Sequence, residues 1–345
     1  MKNKLGILGG GQLGMFICQA AKRYNIKTTI FSNSQKFSAK GFCDNFLIGS
    51  FFDKILLDKF INSSDFFTIE TENIPLEVLK LIEKKKKIFP PSYIVEIAQN
   101  RLKEKKFLNS INGIKTAKYK EINSFSDLES FYKLFGKTGI LKSCEMGYDG
   151  KGQYHINDKN IQNFKNNELR GYILEEVIDF KKEISVLVCC SNKNTIFYPP
   201  VENIHKKSIL RQTIHPARIN NEIKNEALML ATKIASELKL QGILAIEMFL
   251  MKNDELLINE LAPRPHNSGH WSLDFCKYNQ FESLIFSIFK KKLMNPEPIN
   301  SCKMINVIGK DYIQKNIFSR KYKFYDYFKE EIKELRKMGH YTVKF

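Results

Sequence analysis

The opening of the chain constrains the fold most. The apolar run Lys4 to Leu8 passes directly into Gly9, Gly10, Gly11, Gln12, Leu13 and Gly14, and then into Met15, Phe16, Ile17, Ala20 and Ala21 at helical spacing. A strand that turns on glycines into a helix is the first half of a parallel crossover unit. Further apolar runs at Lys27 to Phe31 and Asp65 to Glu70, closed by the turn signal Pro90, Pro91, Ser92 before a new segment from Ile94, predict an open, mostly parallel α/β unit. Gly9, Gly11 and Gly14 fit the G-x-G-x-x-G spacing that lets a backbone approach an anion at a helix amino end. The acidic residue that a dinucleotide fold wants roughly twenty positions further on is replaced by Phe31, Ser32, Asn33 and Ser34. A nicotinamide site is therefore disfavoured, while an anion or substrate-phosphate site and a purely structural turn both stay open.

At 345 residues and roughly 150 residues per domain, two or three domains are expected. Arg101 to about Leu108 is helical and basic. Strands are predicted at Thr116 to Tyr119 and Ile140 to Lys142, around a helix Leu128 to Phe135, and again at Tyr172 to Glu175 and Glu183 to Cys189. Phe197 to Pro199 then leads through His205 to Pro216. A long amphipathic helix, Glu222 to Leu238, precedes strands at Ile243 to Leu250 and Glu255 to Asn259. After Phe281 to Phe289 comes a short last domain with strand signals at Met304 to Ile308 and Tyr322 to Phe324.

The charge balance, 55 Lys plus Arg against 37 Asp plus Glu, leaves +18 at pH 7. Polyanionic partners or anionic substrates are compatible with it, but the excess is spread through stretches such as Lys84 to Lys87, as a chain-wide bias would be. A nucleic-acid-binding protein is disfavoured because no helix-turn-helix, zinc finger or basic stripe interleaved with aromatics is evident. Seven cysteines without CxxC or Cys/His ligand spacing indicate neither zinc nor a disulfide scaffold. No apolar run reaches the roughly 18 residues of a membrane span. A reduced, cytoplasmic protein is expected.

Three features carry chemistry. Glu247 and Glu260 lie at strand positions otherwise lined by Ile, Leu and Met; facing one another they repel unless a divalent cation or a basic group intervenes, and hard oxygen ligands beside phosphates suit magnesium. Lys142 ends an apolar strand, where a cation needs an anion such as a phosphate. Gly147, Gly150 and Gly152 beside it suit a flap that closes and excludes water, the alternative being a plain hairpin with a snorkelling lysine. His266, Asn267, Ser268, Gly269 and His270 form a polar loop suited to contact with a small substrate rather than to a metal.

Taken together, GGGQLG at 9 to 14, GYDGKGQ at 147 to 153, EEVIDFKKE from Glu175 to Glu183, EMF at 247 to 249, NELAPRPHNSGH at 259 to 270, QFE at 280 to 282 and RKMGH at 336 to 340 resemble the 5-(carboxyamino)imidazole ribonucleotide synthase family of the ATP-grasp superfamily. Tyr198, Pro199, Glu202, Asn203 and His205 belong to the same resemblance, which runs from Gly6 to His340. It implies an α/β ATP-grasp fold with an N-terminal open parallel-sheet domain (1–96), an ATP-grasp region (97–283) with a mobile flap around 115–175, and a small, mostly β C-terminal domain (284–345). It also implies ATP- and bicarbonate-dependent carboxylation of 5-aminoimidazole ribonucleotide in purine biosynthesis, with ADP and phosphate released by way of carboxyphosphate. ATP and magnesium are the implied cofactors. A homodimer that passes its product to the mutase of the same pathway is implied too, without nucleic acid or membrane.

The resemblance also assigns residues. Lys142, Arg264 and Asn267 are the implied catalytic groups. ATP contacts fall to Arg101, Lys142, Tyr148, Gly150, Gln153 and Asn259, with Glu175, Glu176 and Ile178 at the adenine hinge and Glu183 on the ribose. Glu247 and Glu260 are the magnesium ligands. The ribonucleotide falls to Gln12, Tyr148, Asp149, Lys151, His266 and Asn267, and its phosphate to Lys329, Arg336 and Lys337. Met15, Cys190, Ser208, Leu284 to Ser287 and Lys333 to Leu335 depart from the family's usual residues; none is a nominated ligand, so the ATP half looks intact, and weaker binding of the ribonucleotide phosphate, or compensation by nearby lysines, is expected rather than loss of activity. A formate-dependent glycinamide ribonucleotide transformylase of the same superfamily is the disfavoured alternative.

Overall fold

The computed structural model describes residues 3–145, 152–191, 194–289 and 291–345. Among them three sheets form. The first is parallel and holds β1 (Lys4–Leu8), β2 (Lys27–Ser32), β3 (Asn45–Ile48), β4 (Phe66–Ile69) and β5 (Lys87–Phe89), with α1 (Gln12–Arg23), α2 (Lys54–Ser63) and α3 (Leu76–Lys85) as crossovers. Its order, β3-β2-β1-β4-β5, reverses direction between β1 and β4. The carboxyl ends of those two strands therefore open a crevice, which is where ligands of open α/β sheets bind. The parallel reading of this sheet holds, but it lacked two strands: β3, with exposed or half-buried residues and no alternation, and β5, only three residues long.

The chain leaves through α4 (Ser92–Gln99) and α5 (Arg101–Ser110). Asn100 caps α5, its side chain accepting from the amides of Leu102 and Lys103 at 3.1 and 3.0 Å. The cap sets Arg101, Glu104 and Lys105 on one helix face, at i, i+3 and i+4.

The second sheet is small and antiparallel, in the order β6-β9-β7-β8, from β6 (Tyr119–Ile122), β7 (Gly139–Ser143), β8 (Gln153–Ile156) and β9 (Tyr172–Glu175). It packs on α6 (Phe125–Leu134) through Leu128, Tyr132, Leu141 and Leu174. The strand expected at Thr116 to Tyr119 begins only at Tyr119. Thr116 instead bridges to Ile258, whose amide donates to the Lys115 carbonyl at 2.8 Å. That segment ties the small sheet to the main one.

The third sheet holds β10 (Phe180–Cys190), β11 (Thr195–Lys206), β12 (Ile209–His215), β13 (Gly242–Met251), β14 (Leu256–Ala262), β15 (Cys302–Ile308), β16 (Phe324–Asp326) and β17 (Lys337–Lys344), in the order β14-β13-β10-β11-β12-β15-β17-β16. Residues 197–216 are thus a hairpin rather than a connecting passage; it turns at Lys207 and Ser208, with φ of 53° and 58°. The C-terminal strands extend the central sheet and form no sheet of their own. Its last predicted strand sits at Phe324–Asp326, two residues later than expected, and β17 was not foreseen.

Both faces of the sheet are covered, which explains why β10 reads as nearly continuous apolar sequence. On one face α7 (Asn221–Glu237) packs Ala227, Leu230 and Ile234 on Ile184, Val186, Leu244 and Ile246, joined by Ile94 and Leu108. On the other, α8 (Ser272–Phe275) and α9 (Gln280–Ile288) share a core with α1 that buries Phe16, Tyr198, Trp271, Phe281 and Tyr327. Each such side chain contributes roughly 1.5–3 kcal/mol by burial, and this core joins the parallel sheet to the central one.

Candidate active site

A cleft of about 1690 Å³ opens where the crevice above β1 and β4 meets β7, β8, β13 and β14 and the segment before β17. On its floor Glu247 and Glu260 are direct cross-strand partners. Glu247 pairs with Glu260 and Met248 with Ile258, which leaves Asn259 as the extra residue of a bulge; such bulges re-aim side chains beside active sites. Burial first, and the Glu260 charge second, push the Glu247 carboxyl up to about 7. His266 Nε2 lies 3.5 Å from Glu247, and Arg101 Nη1 lies 3.7 Å from Glu260. Paired hard oxygens, one of them raised by burial and by the charge of the other, fit a divalent cation. Among the described residues no group of three His, Cys, Asp or Glu forms, so these carboxylates suit magnesium that takes its remaining ligands from phosphate and water.

Lys142 is buried on β7, so it is no snorkelling surface lysine. The anion that it meets in this structure is Glu175, at 2.8 Å. Glu175 also lies 3.7 Å from Lys105 of α5. Burial works against the Glu175 charge, but the two lysines hold its carboxyl below the usual range. The Arg101 amide donates to the Cys144 carbonyl at 2.9 Å, which ties the start of α5 to the end of β7. Beside them Glu104, pushed up to about 8 by burial and then by Glu260, accepts from the Leu261 amide at 2.7 Å.

Glu183 meets His205 across the sheet in a short contact, and both line the cleft with Gln153 and Asn259. Glu183, with His205's other neighbour Glu247, raises the His205 imidazole despite its burial. Glu175, Glu176 and Ile178 do not line the cleft. Glu175 lies beneath Lys142. Glu176 donates its amide to Lys118 O at 2.9 Å and accepts the Lys118 amide at 2.8 Å. Ile178 is half-buried between β9 and β10. Tyr148, Asp149, Gly150 and Lys151 lie outside the described residues, whereas the rest of the region expected as a flap, 115–145 and 152–175, forms the small sheet with α6.

The glycine turn is not a phosphate cradle in this structure, which corrects the anion-site reading. Glu70, just past β4, takes the position itself, accepting from the amides of Gly11 at 2.8 Å and Gly14 at 3.4 Å. A Cβ on Gly11 would stand 2.7 Å from both Glu70 carboxylate oxygens. Two residues on, Glu72 holds Arg264 in a bidentate pair, one arm at 2.9 Å. Burial notwithstanding, Arg264 keeps Glu72 below the usual carboxylate range.

His266 lines the cleft as a neutral imidazole, lowered by burial and then by Arg264. The Asn267 amide pairs reciprocally with Asn306 of β15. His270 is fully buried against Phe16 and Phe281, away from the cleft. Gln12 and the distant Lys329, Arg336 and Lys337 line the same cleft, so the fold closes that sequence separation. Lys329 Nζ donates to Lys337 O at 2.8 Å and Arg336 Nη1 to Glu331 O at 3.2 Å. Glu70, Glu72, Lys105 and His205 were absent from the residues nominated from sequence. The signal for the first two was two acids spaced two apart at the carboxyl end of a predicted strand.

A small antiparallel sheet over a larger one, with lysine, arginine and paired carboxylates facing the cleft between them, defines an ATP-grasp ligase. The sequence matches the ATP-grasp domain over residues 107–281, the ribonucleotide synthetase preATP-grasp domain over 1–99 and the phosphoribosylaminoimidazole carboxylase C-terminal domain over 302–344. It is 37% identical to the N5-carboxyaminoimidazole ribonucleotide synthase of Bacillus subtilis (strain 168), across 98% of this chain and 90% of that one. The chain belongs to the N5-carboxyaminoimidazole ribonucleotide synthase family. Among solved structures, the Staphylococcus aureus N5-carboxyaminoimidazole synthetase complexed with ADP matches with a TM-score of 0.94 at 34% identity, covering 99% of this chain and 93% of that chain. The Aspergillus clavatus N5-carboxyaminoimidazole synthase, in complex with ADP and 5-aminoimidazole ribonucleotide, matches with a TM-score of 0.89 at 27% identity, covering 100% and 94%.

Proposed function

We propose that this chain carboxylates 5-aminoimidazole ribonucleotide with ATP and bicarbonate, releasing ADP and phosphate. The observation that carries the reading is the Glu247–Glu260 pair, set in register on the floor of a cleft that also presents Lys142 and Arg101. A bicarbonate oxygen attacks the terminal phosphorus and ADP leaves; the resulting carboxyphosphate breaks to carbon dioxide and phosphate, and the exocyclic amine adds to the carbon dioxide to give the carbamate. Phosphoryl transfer asks mainly for positioning and charge compensation. Arg101 and Lys142 supply cations to the nucleotide phosphates, and Glu183 accepts hydrogen bonds from the ribose. Arg264, oriented by Glu72, faces the charge that develops on the transferred group. Magnesium, held by Glu247 and Glu260, would supply further charge neutralisation.

Lys329, Arg336 and Lys337 clamp the ribonucleotide phosphate, where a guanidinium fork and point charges suit a monoester. Gln12, His266 and Asn267 face its ring. The A. clavatus relative, solved with both ligands, supports a shared cleft for nucleotide and ribonucleotide. A cytoplasmic homodimer that hands its carbamate to a mutase rests on family membership. The test is ADP release with magnesium, measured as each substrate is omitted. Release that depends on both bicarbonate and the aminoimidazole ribonucleotide is expected. Release supported equally by formate and glycinamide ribonucleotide would transfer the chain to the alternative ligase.

A further inference from the structure

Lys105 is a buried cation beside the site that the mechanism above leaves unused. Its side chain is 2% exposed, it does not line the cleft, and its Nζ bonds the Asn259 carbonyl at 3.2 Å. It therefore cannot reach a bound nucleotide without leaving the core. It shares one oxygen of Glu175 with Lys142, at 3.7 Å against 2.8 Å, while the other oxygen, Oε1, is buried with no hydrogen-bond partner among the described residues. Lys142 and Glu175 belong to the small sheet, whereas Lys105 sits on α5, capped at Asn100 and packed against β14.

Two cations thus compete for one buried carboxylate, and only Lys142 borders the cleft. When Lys142 turns to a phosphate, Glu175 keeps a counter-ion only if Lys105 stays. We propose that Lys105 is a positioning residue for nucleotide binding: it remains as the permanent counter-ion of Glu175 and so lets Lys142 transfer from that carboxylate to the ATP phosphates. This rests on the assignment of Lys142 to those phosphates. Without Lys105, moving Lys142 would strand a buried charge, so Lys142 would stay on Glu175.

Calorimetric titration of the full chain with a non-hydrolysable ATP analogue and, separately, with adenosine tests the proposal. Lys105→Met is expected to weaken the triphosphate by about tenfold or more and leave adenosine unchanged. Adding Glu175→Gln, which removes the charge that retains Lys142, is expected to bring the triphosphate back to within about threefold of wild type. Equal losses for both ligands in Lys105→Met, or no loss, overturn the proposal. Should that single variant not fold, the Lys105→Met/Glu175→Gln pair, which buries no lone charge, decides it: a loss of about tenfold there overturns it. Lys142→Met separates the two claims. If it binds the triphosphate as wild type does, the phosphate assignment falls, and Lys105's role with it; if it loses affinity while Lys105→Met does not, Lys105's role alone falls.

Discussion

Glu247 shows how a carboxylate on the floor of the cleft strains the fold that holds it. Its carboxyl is raised to about 7 by burial and the facing Glu260, so below its ordinary value both folded and unfolded chains hold the proton, and stability falls as pH rises towards 7. Glu247→Gln should therefore be more stable than wild type at pH 8 without divalent cations, by about 1–3 kcal/mol, with the gap closing below about pH 5, while ADP release falls by about a hundredfold or more. Urea unfolding and turnover of the same preparation check both halves. The glycine turn gives a second case. Gly11→Ala drives the Glu70 carboxylate off the Gly11 and Gly14 amides, at a cost of about 1–3 kcal/mol; in a Glu70→Ala background the same change should cost at least about 1 kcal/mol less, and fully additive losses would contradict the contact. The glycine spacing left an anion site and a structural turn both open, and its backbone amides do meet a carboxylate. It could not say that the anion comes from the chain itself, because Glu70 approaches from a strand nearly sixty residues away.

At the scale of elements, what was legible in sequence was whatever a local period encodes. β1 with α1, α7 and β9 fall where apolar spacing places them, and Glu247 and Glu260 faced one another as adjacent strands require. The bulge at Asn259 that aims Glu260, the shift of β6 and the pairing of Asn267 with Asn306 depend on partners far away in sequence, which no window of residues contains. The β11–β12 turn is a local miss. A two-residue hairpin with both φ positive asks for Asn or Gly, and Lys207 and Ser208 disguise it. Ser208→Gly should relieve that strain and stabilise the chain by about 0.5–1 kcal/mol, read as a raised urea midpoint with an unchanged slope. A lower midpoint would contradict it.

Across the whole molecule, buried histidines set a limit in acid. Burial lowers the His215 imidazole to about 4 and the His340 imidazole to about 3, and lowers His266 and His270 as well. Below the ordinary value of 6.5 the unfolded chain takes up protons that the folded one refuses. Stability is thus full above that value and falls as pH drops, by up to about 1.4 kcal/mol per pH unit for each such histidine. The thermal midpoint should decline steeply between pH 6.5 and 5, and less steeply in His340→Phe; equal slopes would remove His340 from the account. The central sheet joins the carboxylate pair at one end to Lys337 and His340 of β17 near the other, with β17 held between β15 and β16. Because a ribosome delivers residues in order, β17 emerges after every strand it must join, so the wall of the cleft that Arg336 and Lys337 line is the last to be completed.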